Sequence, residues 1–287
     1  MRKKYKSYLY YAIIILCIIV AYSYLKNKRE GFEGSAPPLN YTTESKIKVF
    51  TYATEIKPTL RLLLLSLKMH NYSYEVVGFG TPWKGFRNRV YTYLSAVKKY
   101  RETNGDDAVA VVLDGYDCLC IKDSERVYND FINKPRSIPV MFGVEVYCLG
   151  NCNKNILSWY DYHRLYGGEQ EISKELAHIP EGLTSKKPVF LNGGMVIGTS
   201  KELESVYTGM MELNIEDDQI CAATYAVNNK DDVDLDVEEV IFRNKKQDIT
   251  HRLPEEDGVN GPGFLHFPGA RDKNNFSDLL VLFDFYL

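Results

Sequence analysis

Asp114 and Asp117 close the apolar run Val111-Val112-Leu113 in the stretch Leu-Asp-Gly-Tyr-Asp. Two carboxylates three positions apart at the end of a buried strand can reach one divalent ion. Magnesium and manganese prefer oxygen ligands, and such ions are often held by one or two carboxylates together with a substrate's phosphates. Open α/β sheets also bind ligands at the carboxyl ends of their strands. The same acids suit a plain turn, because Asp-Gly is a hairpin signal. Three later features carry related chemistry. His266, between Leu265 and Phe267, offers an imidazole ligand or a satisfied core histidine. Phe190 to Gly194 (FLNGG) places two glycines inside a strand pattern, which marks a bulge or a ligand close to the backbone. Asp217, Asp218 and Gln219 open a helical pattern, where acids either complement the helix dipole or reach hydroxyl groups of a ligand.

The elements that must position these residues alternate between strand and helix. Strands are expected at 47–54, 74–80, 108–114 and 138–145, and helices at 58–70, 86–102 and 124–134. Pro58 sits at a helix start, where its missing N–H costs nothing. This alternation predicts an α/β fold, a Rossmann-like, mostly parallel sheet with helices on both faces. Beyond residue 146 a loop rich in Tyr, Gly and Asn leads to a strand at 188–199 interrupted by Gly193 and Gly194. A short helix, a helix at 217–227 and an alternating strand at 233–242 follow.

The composition is that of an ordinary globular chain, with 45% hydrophobic and 25% charged residues in 287, enough for one large core. A net charge of −3 provides no basic field, so a nucleic-acid partner is not expected. The N-terminus differs. Residues 9–25 (LYYAIIILCIIVAYSYL) carry no charge, with Arg2, Lys3, Lys4 and Lys6 before them and Lys26, Lys28 and Arg29 after. Such a run spans roughly 25 Å, at the short end for a membrane helix, and its tyrosines suit the two interfaces. A single-pass, type II signal anchor is expected, with a cleaved signal peptide as the alternative. The expected organisation is a basic tail (1–8), the anchor (9–25), a stalk (26–45) and a globular domain (46–287) facing the lumenal or extracytoplasmic side. Sequons at Asn40, Asn71 and Asn275 suit that side. Cys148 and Cys152 have the spacing for a small disulfide loop, and at least one of the six cysteines stays free or pairs between chains. No second Cys/His pair has zinc spacing, so a zinc site is not expected.

The order of these features resembles that of metal-dependent nucleotide-sugar glycosyltransferases of the GT-A fold. More narrowly, it resembles the glycosyltransferase domain of the procollagen lysyl hydroxylases and their single-domain relatives. TYATE (51–55) is similar to that family's first-strand nucleotide loop, GFGTPWKG (78–85) to its Gly-x-Gly-x-x-Trp segment, and LDGYD (113–117) to its Asp-x-Tyr-Asp motif. FLNGG is similar to its Phe-Leu-Asn-Ser-Gly-Gly, DDQ to its acidic helix start, and LDVEEVIF (235–242) to a Leu-Asp strand ending in Ile-Phe. The resemblance spans roughly residues 46–270, with the motifs in family order. In the family the late histidine precedes Gly-Asn-Gly-Pro-Thr-Lys, whereas His266 precedes Phe-Pro-Gly-Ala-Arg-Asp-Lys. The chain ends at Leu287, so the hydroxylase domain of the long members, and lysine hydroxylation with it, is not expected.

The resemblance implies a hexosyltransferase that uses a UDP-sugar, UDP-glucose or UDP-galactose, with Mn2+ or Mg2+ as cofactor. Asp114, Asp117 and His266 are its implied metal ligands. Tyr116 would stack on uracil, Tyr52 and Thr54 would line the uridine pocket, and Trp83 would cover phosphates or sugar. Asn192, Gly193 and Gly194 would line the donor site, and Asp217 and Asp218 would serve the sugar hydroxyls or the acceptor. Glu145 is a further candidate at a strand end. The implied acceptor is a hydroxylysine of a collagen-like protein or a glycan. The alternatives are a membrane-anchored nucleotide-sugar-binding module without turnover, and a phosphatase-type hydrolase with Asp114 as nucleophile. The latter would require a Lys and further acids that the later strands do not supply.

Overall fold

The computed structural model describes residues 37–134, 138–145, 190–229, 231–244 and 261–267. The chain divides into Met1–Pro38, of which only Pro37 and Pro38 are described, and Leu39–Leu287, which holds every element below. The expected anchor, most of the stalk, the Cys148–Cys152 loop and the Asn275 sequon lie outside the described residues. No helix among the described residues is long and apolar enough to cross a membrane.

After a two-residue strand β1 (Asn40–Tyr41) come β2 (Ile47–Tyr52), helix α1 (Pro58–Met69), β3 (Ser73–Val77), α2 (Phe86–Asn104) and β4 (Val109–Asp114). Next are β5 (Cys118–Cys120), α3 (Ser124–Ile132) and β6 (Val140–Glu145). The remaining elements are β7 (Phe190–Thr199), α4 (Ser200–Glu212), α5 (Asp218–Asn228), β8 (Asp234–Leu235), β9 (Phe242–Asn244) and β10 (Phe264–His266). The central sheet has the order β1-β3-β2-β4-β7-β6-β8, and a second sheet has the order β5-β10-β9.

The central strands are apolar on both faces because both faces are covered. In β2 and β4, Phe50, Ala110 and Val112 face a core completed by Val90 and Val97 of α2, Leu203 and Val206 of α4, and Ala222 of α5. Their alternates Val49, Val109 and Val111 face Leu60, Leu63 and Leu67 of α1, Val127 and Phe131 of α3, and the small sheet. Pro58 occupies the first turn of α1 as expected, while Asp123 caps α3 by accepting the Glu125 N–H at 2.9 Å.

Two expectations are corrected. The sheet is mixed rather than mostly parallel: β2 is parallel to β3 and β4, and β6 to β8, but β7 runs antiparallel to both β4 and β6. A strand buried on both faces reads as an apolar run whichever way it points, so the pattern carried no information about direction. The alternating segment 233–242 is also two short strands, not one. Between them the buried Asp236 carboxylate accepts the N–H groups of Val240, Ile241 and Phe242 at 2.9, 2.7 and 2.7 Å, which folds the chain into a turn. Around FLNGG the strand β7 is continuous, but its register against β6 slips. Phe142 pairs with Val196 and Gly143 with Asn192, so Gly193, Gly194 and Met195 form a bulge in this ladder.

Candidate active site

The chain leaves β2 for β3 on one side, while β4 lies on the other, so the strand order reverses between β2 and β4. Ligands of open α/β sheets bind outside the carboxyl ends of the strands at such a switch point. Tyr52 and Asp114 are register partners at that end. The Tyr93 hydroxyl ties the two strand ends together. It accepts the Tyr52 N–H at 3.0 Å and donates to the Leu113 carbonyl at 3.0 Å.

Asp114, Asp117 and His266 converge here from different elements. Asp114 ends β4, Asp117 lies in the turn to β5, and His266 ends β10. His266 Nε2 is 3.4 Å from Asp117 Oδ1 and 3.8 Å from Asp114 Oδ2. Both His266 Nε2 and Asp117 Oδ1 are buried without a hydrogen-bond partner. Buried polar atoms are almost always paired, so an orphaned nitrogen and oxygen facing one another are a donor pair suited to a cation. Gly194 permits this approach, since a Cβ at that position would lie 2.5 Å from Asp114 Oδ2. Gly115 likewise passes too close to the Tyr52 carbonyl to carry a side chain.

The hydrogen bonds around His266 assign its tautomer. Asn244 donates Nδ2–H to the Val144 carbonyl, which turns its Oδ1 towards His266 Nδ1, 2.7 Å away. Nδ1 therefore carries the proton, and the Nε2 lone pair is left for the aspartates' side. An orienting partner on the far nitrogen is the usual companion of a metal-binding histidine. Burial opposes a charge on His266, but Asp117 and then Asp114 and Glu145 outweigh it and raise its pKa. Burial pushes Asp114 up to about 6 against the pull of Arg89, with Asp117 adding to the push.

Arg89 and Asn244 have positions that the sequence did not signal. From the first turn of α2, Arg89 Nη1 donates to Asp114 Oδ1 at 2.6 Å, while Nε donates to Asp218 Oδ2 at 2.7 Å and Nη2 to the same oxygen. Burial works against the guanidinium's charge, but Asp114 and Asp218 raise its pKa further still. Arg89 had the appearance of one more charge on an amphipathic helix, and Asn244 followed an apolar run with no pattern of its own.

The other expected site residues form two groups. Asp217 caps α5, its Oδ1 accepting the Ile220 N–H at 2.9 Å, so one of its oxygens is structural. Asp218 joins the Asp114 side of the site through Arg89. Gln219 clamps FLNGG by accepting the Gly193 N–H at 2.6 Å and donating to the Leu191 carbonyl. Asn192 Oδ1 accepts the Gly194 N–H at 2.9 Å and shapes the bulge. Glu145 is 1% exposed, and neither of its oxygens has a hydrogen-bond partner. Its burial raises its pKa to about 7, with His266 and Asn192 pulling the other way.

The second group is aromatic and lies beyond Tyr52. Trp83, half exposed, meets the Tyr52 ring edge-on at 5.7 Å and Phe86 at 5.2 Å. The Tyr116 hydroxyl accepts the N–H groups of Thr54 and Glu55 at 3.2 and 3.3 Å and donates to the Glu55 carbonyl at 3.1 Å. This fixes the ring beside Thr54 at the carboxyl end of β2. Tyr52, Thr54, Trp83 and Tyr116 thus lie on the β2 side of the crevice, and the acids and His266 on the β4 side.

Residues 43–160 match the family model described as PLOD GT domain. The chain is 25% identical over 211 residues to a multifunctional procollagen lysine hydroxylase and glycosyltransferase of Caenorhabditis elegans, covering 69% of this chain and 26% of that protein. It is 23% identical over 261 residues to a procollagen-lysine,2-oxoglutarate 5-dioxygenase of Drosophila melanogaster, covering 82% of this chain and 32% of that one. The chain thus spans about a quarter to a third of the length of these relatives. A crystal structure of a glycosyltransferase involved in the glycosylation of the major capsid of PBCV-1 is similar with a TM-score of 0.48 and 12% identity, covering 82% of this chain and 98% of that one.

This is a glycosyltransferase-like α/β domain. It is related to the glycosyltransferase domain of the procollagen lysyl hydroxylases, the resemblance that its motifs carry.

Proposed function

We propose that this domain transfers a hexose, glucose or galactose, from a UDP-sugar to a hydroxyl acceptor with the help of a divalent cation. The carrying observation is the pair of orphaned buried atoms, His266 Nε2 and Asp117 Oδ1, beside Asp114 at the switch point of the sheet. Asp114, Asp117 and His266 would hold Mn2+ or Mg2+. The bound ion supplies Lewis acidity that neutralises charge on the departing diphosphate.

The remaining work falls to the chain's own side chains. Tyr116, its hydroxyl anchored to the backbone of Thr54 and Glu55, presents a ring face for uracil. Tyr52 and Thr54 line the nucleoside end, and Trp83 covers the diphosphate or sugar. Asn192, Gly193 and Gly194, held by Gln219, form the wall under the donor. Arg89 orients Asp218 and Asp114 by donating to both carboxylates. Asp218, with Asp217, would bind sugar hydroxyls or take the acceptor's proton. General-base assistance requires such a carboxylate within hydrogen-bond reach of the attacking hydroxyl.

The acceptor in this reading is a hydroxylysine of a collagen-like protein or a glycan. The charge-free run 9–25 between basic flanks supports a type II membrane anchor, with the domain on the lumenal or extracytoplasmic side. The test is turnover by the full chain in detergent with a panel of UDP-sugars, with and without Mn2+. One hexose donor should be consumed only with the metal, and Asp117→Ala should abolish the reaction. Turnover indifferent to chelator and to Asp117→Ala contradicts the reading. Protease protection in intact vesicles tests the membrane side.

A further inference from the structure

His266 does not face the two aspartates alone. In the small sheet it is the direct antiparallel partner of Cys118 on β5 and the direct parallel partner of Asn244 on β9. Directly opposed residues project from the same face of a sheet, so Cys118, His266 and Asn244 form one row across it. One ligand atom each from Asp117, Cys118 and His266 lies within 4.8 Å of the other two.

We infer that Cys118 is a further ligand of this centre, beside Asp117 and His266, and that the site therefore accepts a thiophilic divalent cation of the zinc and cobalt class. This inference rests on the metal reading of the same site under the proposed function. Three observations carry it. His266 Nε2 and Asp117 Oδ1 are buried and unpartnered, so two donors already await a cation. Their 3.4 Å separation is that of two ligands on a tetrahedral ion at about 2.0–2.1 Å from each, whereas neighbouring ligands of an octahedral ion at that distance are about 3 Å apart. Cys118 is buried and in no disulfide, and its sulfur lies within 4.8 Å of the Asp117 and His266 ligand atoms.

Asp114 stands somewhat apart, because Arg89 holds its Oδ1 and its Oδ2 is 3.8 Å from His266 Nε2. It is the natural fourth group. A nitrogen, an oxygen and a sulfur donor suit zinc better than magnesium, and zinc and cobalt outrank manganese for such ligand sets. On binding, the S–H bond breaks, the sulfur–metal bond forms and the proton leaves to solvent. No oxidant or reductant is involved. The ligands come from β5 and β10, far apart in sequence, which is why a search for zinc spacing along the chain does not find them.

The test is optical. Full-length protein freed of metal is titrated with Co2+, and Mn2+ displacement is followed in parallel by electron paramagnetic resonance. A thiolate-to-cobalt charge-transfer band should rise in the near ultraviolet with saturating stoichiometry. It should vanish in both Cys118→Ser and Cys118→Val. Zn2+ affinity should fall about 10–100-fold in these variants while Mn2+ affinity changes far less. Co2+ that displaces Mn2+ without a charge-transfer band, or a band that persists in Cys118→Val, overturns the role of Cys118 and leaves the proposed function standing. Failure of every cation to bind overturns both. Should neither variant fold, cadmium-113 NMR of the unaltered protein decides, because a sulfur ligand moves the resonance strongly downfield of an all-oxygen-and-nitrogen site.

Discussion

The Asn244 carboxamide accepts the Nδ1 proton of His266 at 2.7 Å while its own Nδ2 is committed to the Val144 carbonyl. This relationship sets which imidazole nitrogen is free. Asn244→Ala should therefore leave the fold in place but lower Mn2+ affinity about 10–100-fold, the usual cost of removing an orienting partner. Asn244→Asp, which can still accept from Nδ1, should retain most of it. Nitrogen-15 NMR of the metal-free imidazole checks the cause directly: Nδ1 should carry the proton in the parent, and the tautomers should mix in Asn244→Ala.

Arg89 bridges Asp114 and Asp218, and all three side chains are at most 21% exposed. Removing one member of a buried ion network leaves charges uncompensated, at a cost of about 3 kcal/mol. Arg89→Met should lose that much in urea denaturation. Adding Asp218→Asn to it should recover part of the loss, because one of the stranded charges is gone.

Glu145 gives a pH-dependent prediction whose sign is fixed by its environment. Burial raises its pKa to about 7 from an ordinary 4.5, so the native state holds this proton where the unfolded state has released it. Its stability contribution is thus lost as pH rises from the unfolded value through the folded one. Glu145→Gln, which has no charge to bury, should match the parent near pH 4 and exceed it by roughly 3 kcal/mol above pH 8. Metal-free protein followed by thermal denaturation across that range provides the check.

The parts of this protein that were legible in its sequence are those set by local pattern. The apolar runs of β2 and β4, Pro58 at the start of α1 and the end of β4 at Asp114 are all set within a few residues. The two glycines of FLNGG marked a bulge or a close approach, and at Gly194 a Cβ would meet Asp114. What stayed hidden depends on through-space pairing. The direction of β7, the turn imposed by Asp236, and the row Cys118–His266–Asn244 arise from strand register, which no stretch of the chain states alone. Arg89 shows the same limit. Its neighbours in the sequence name no partner for it, and only the approach of α5 and the end of β4 turns it into a bridge.

In the proposed reaction Asp114, Asp117 and His266 would hold a divalent cation that supplies positive charge to the diphosphate of a UDP-sugar. The most direct test is calorimetric titration of UDP into the full chain, in chelator and again in Mn2+, with Asp117→Ala alongside. UDP should bind the parent at least about tenfold more tightly with Mn2+ than without, and Asp117→Ala should remove that difference. Equal UDP binding in chelator and in Mn2+, or a Mn2+ effect that survives Asp117→Ala, would contradict the account.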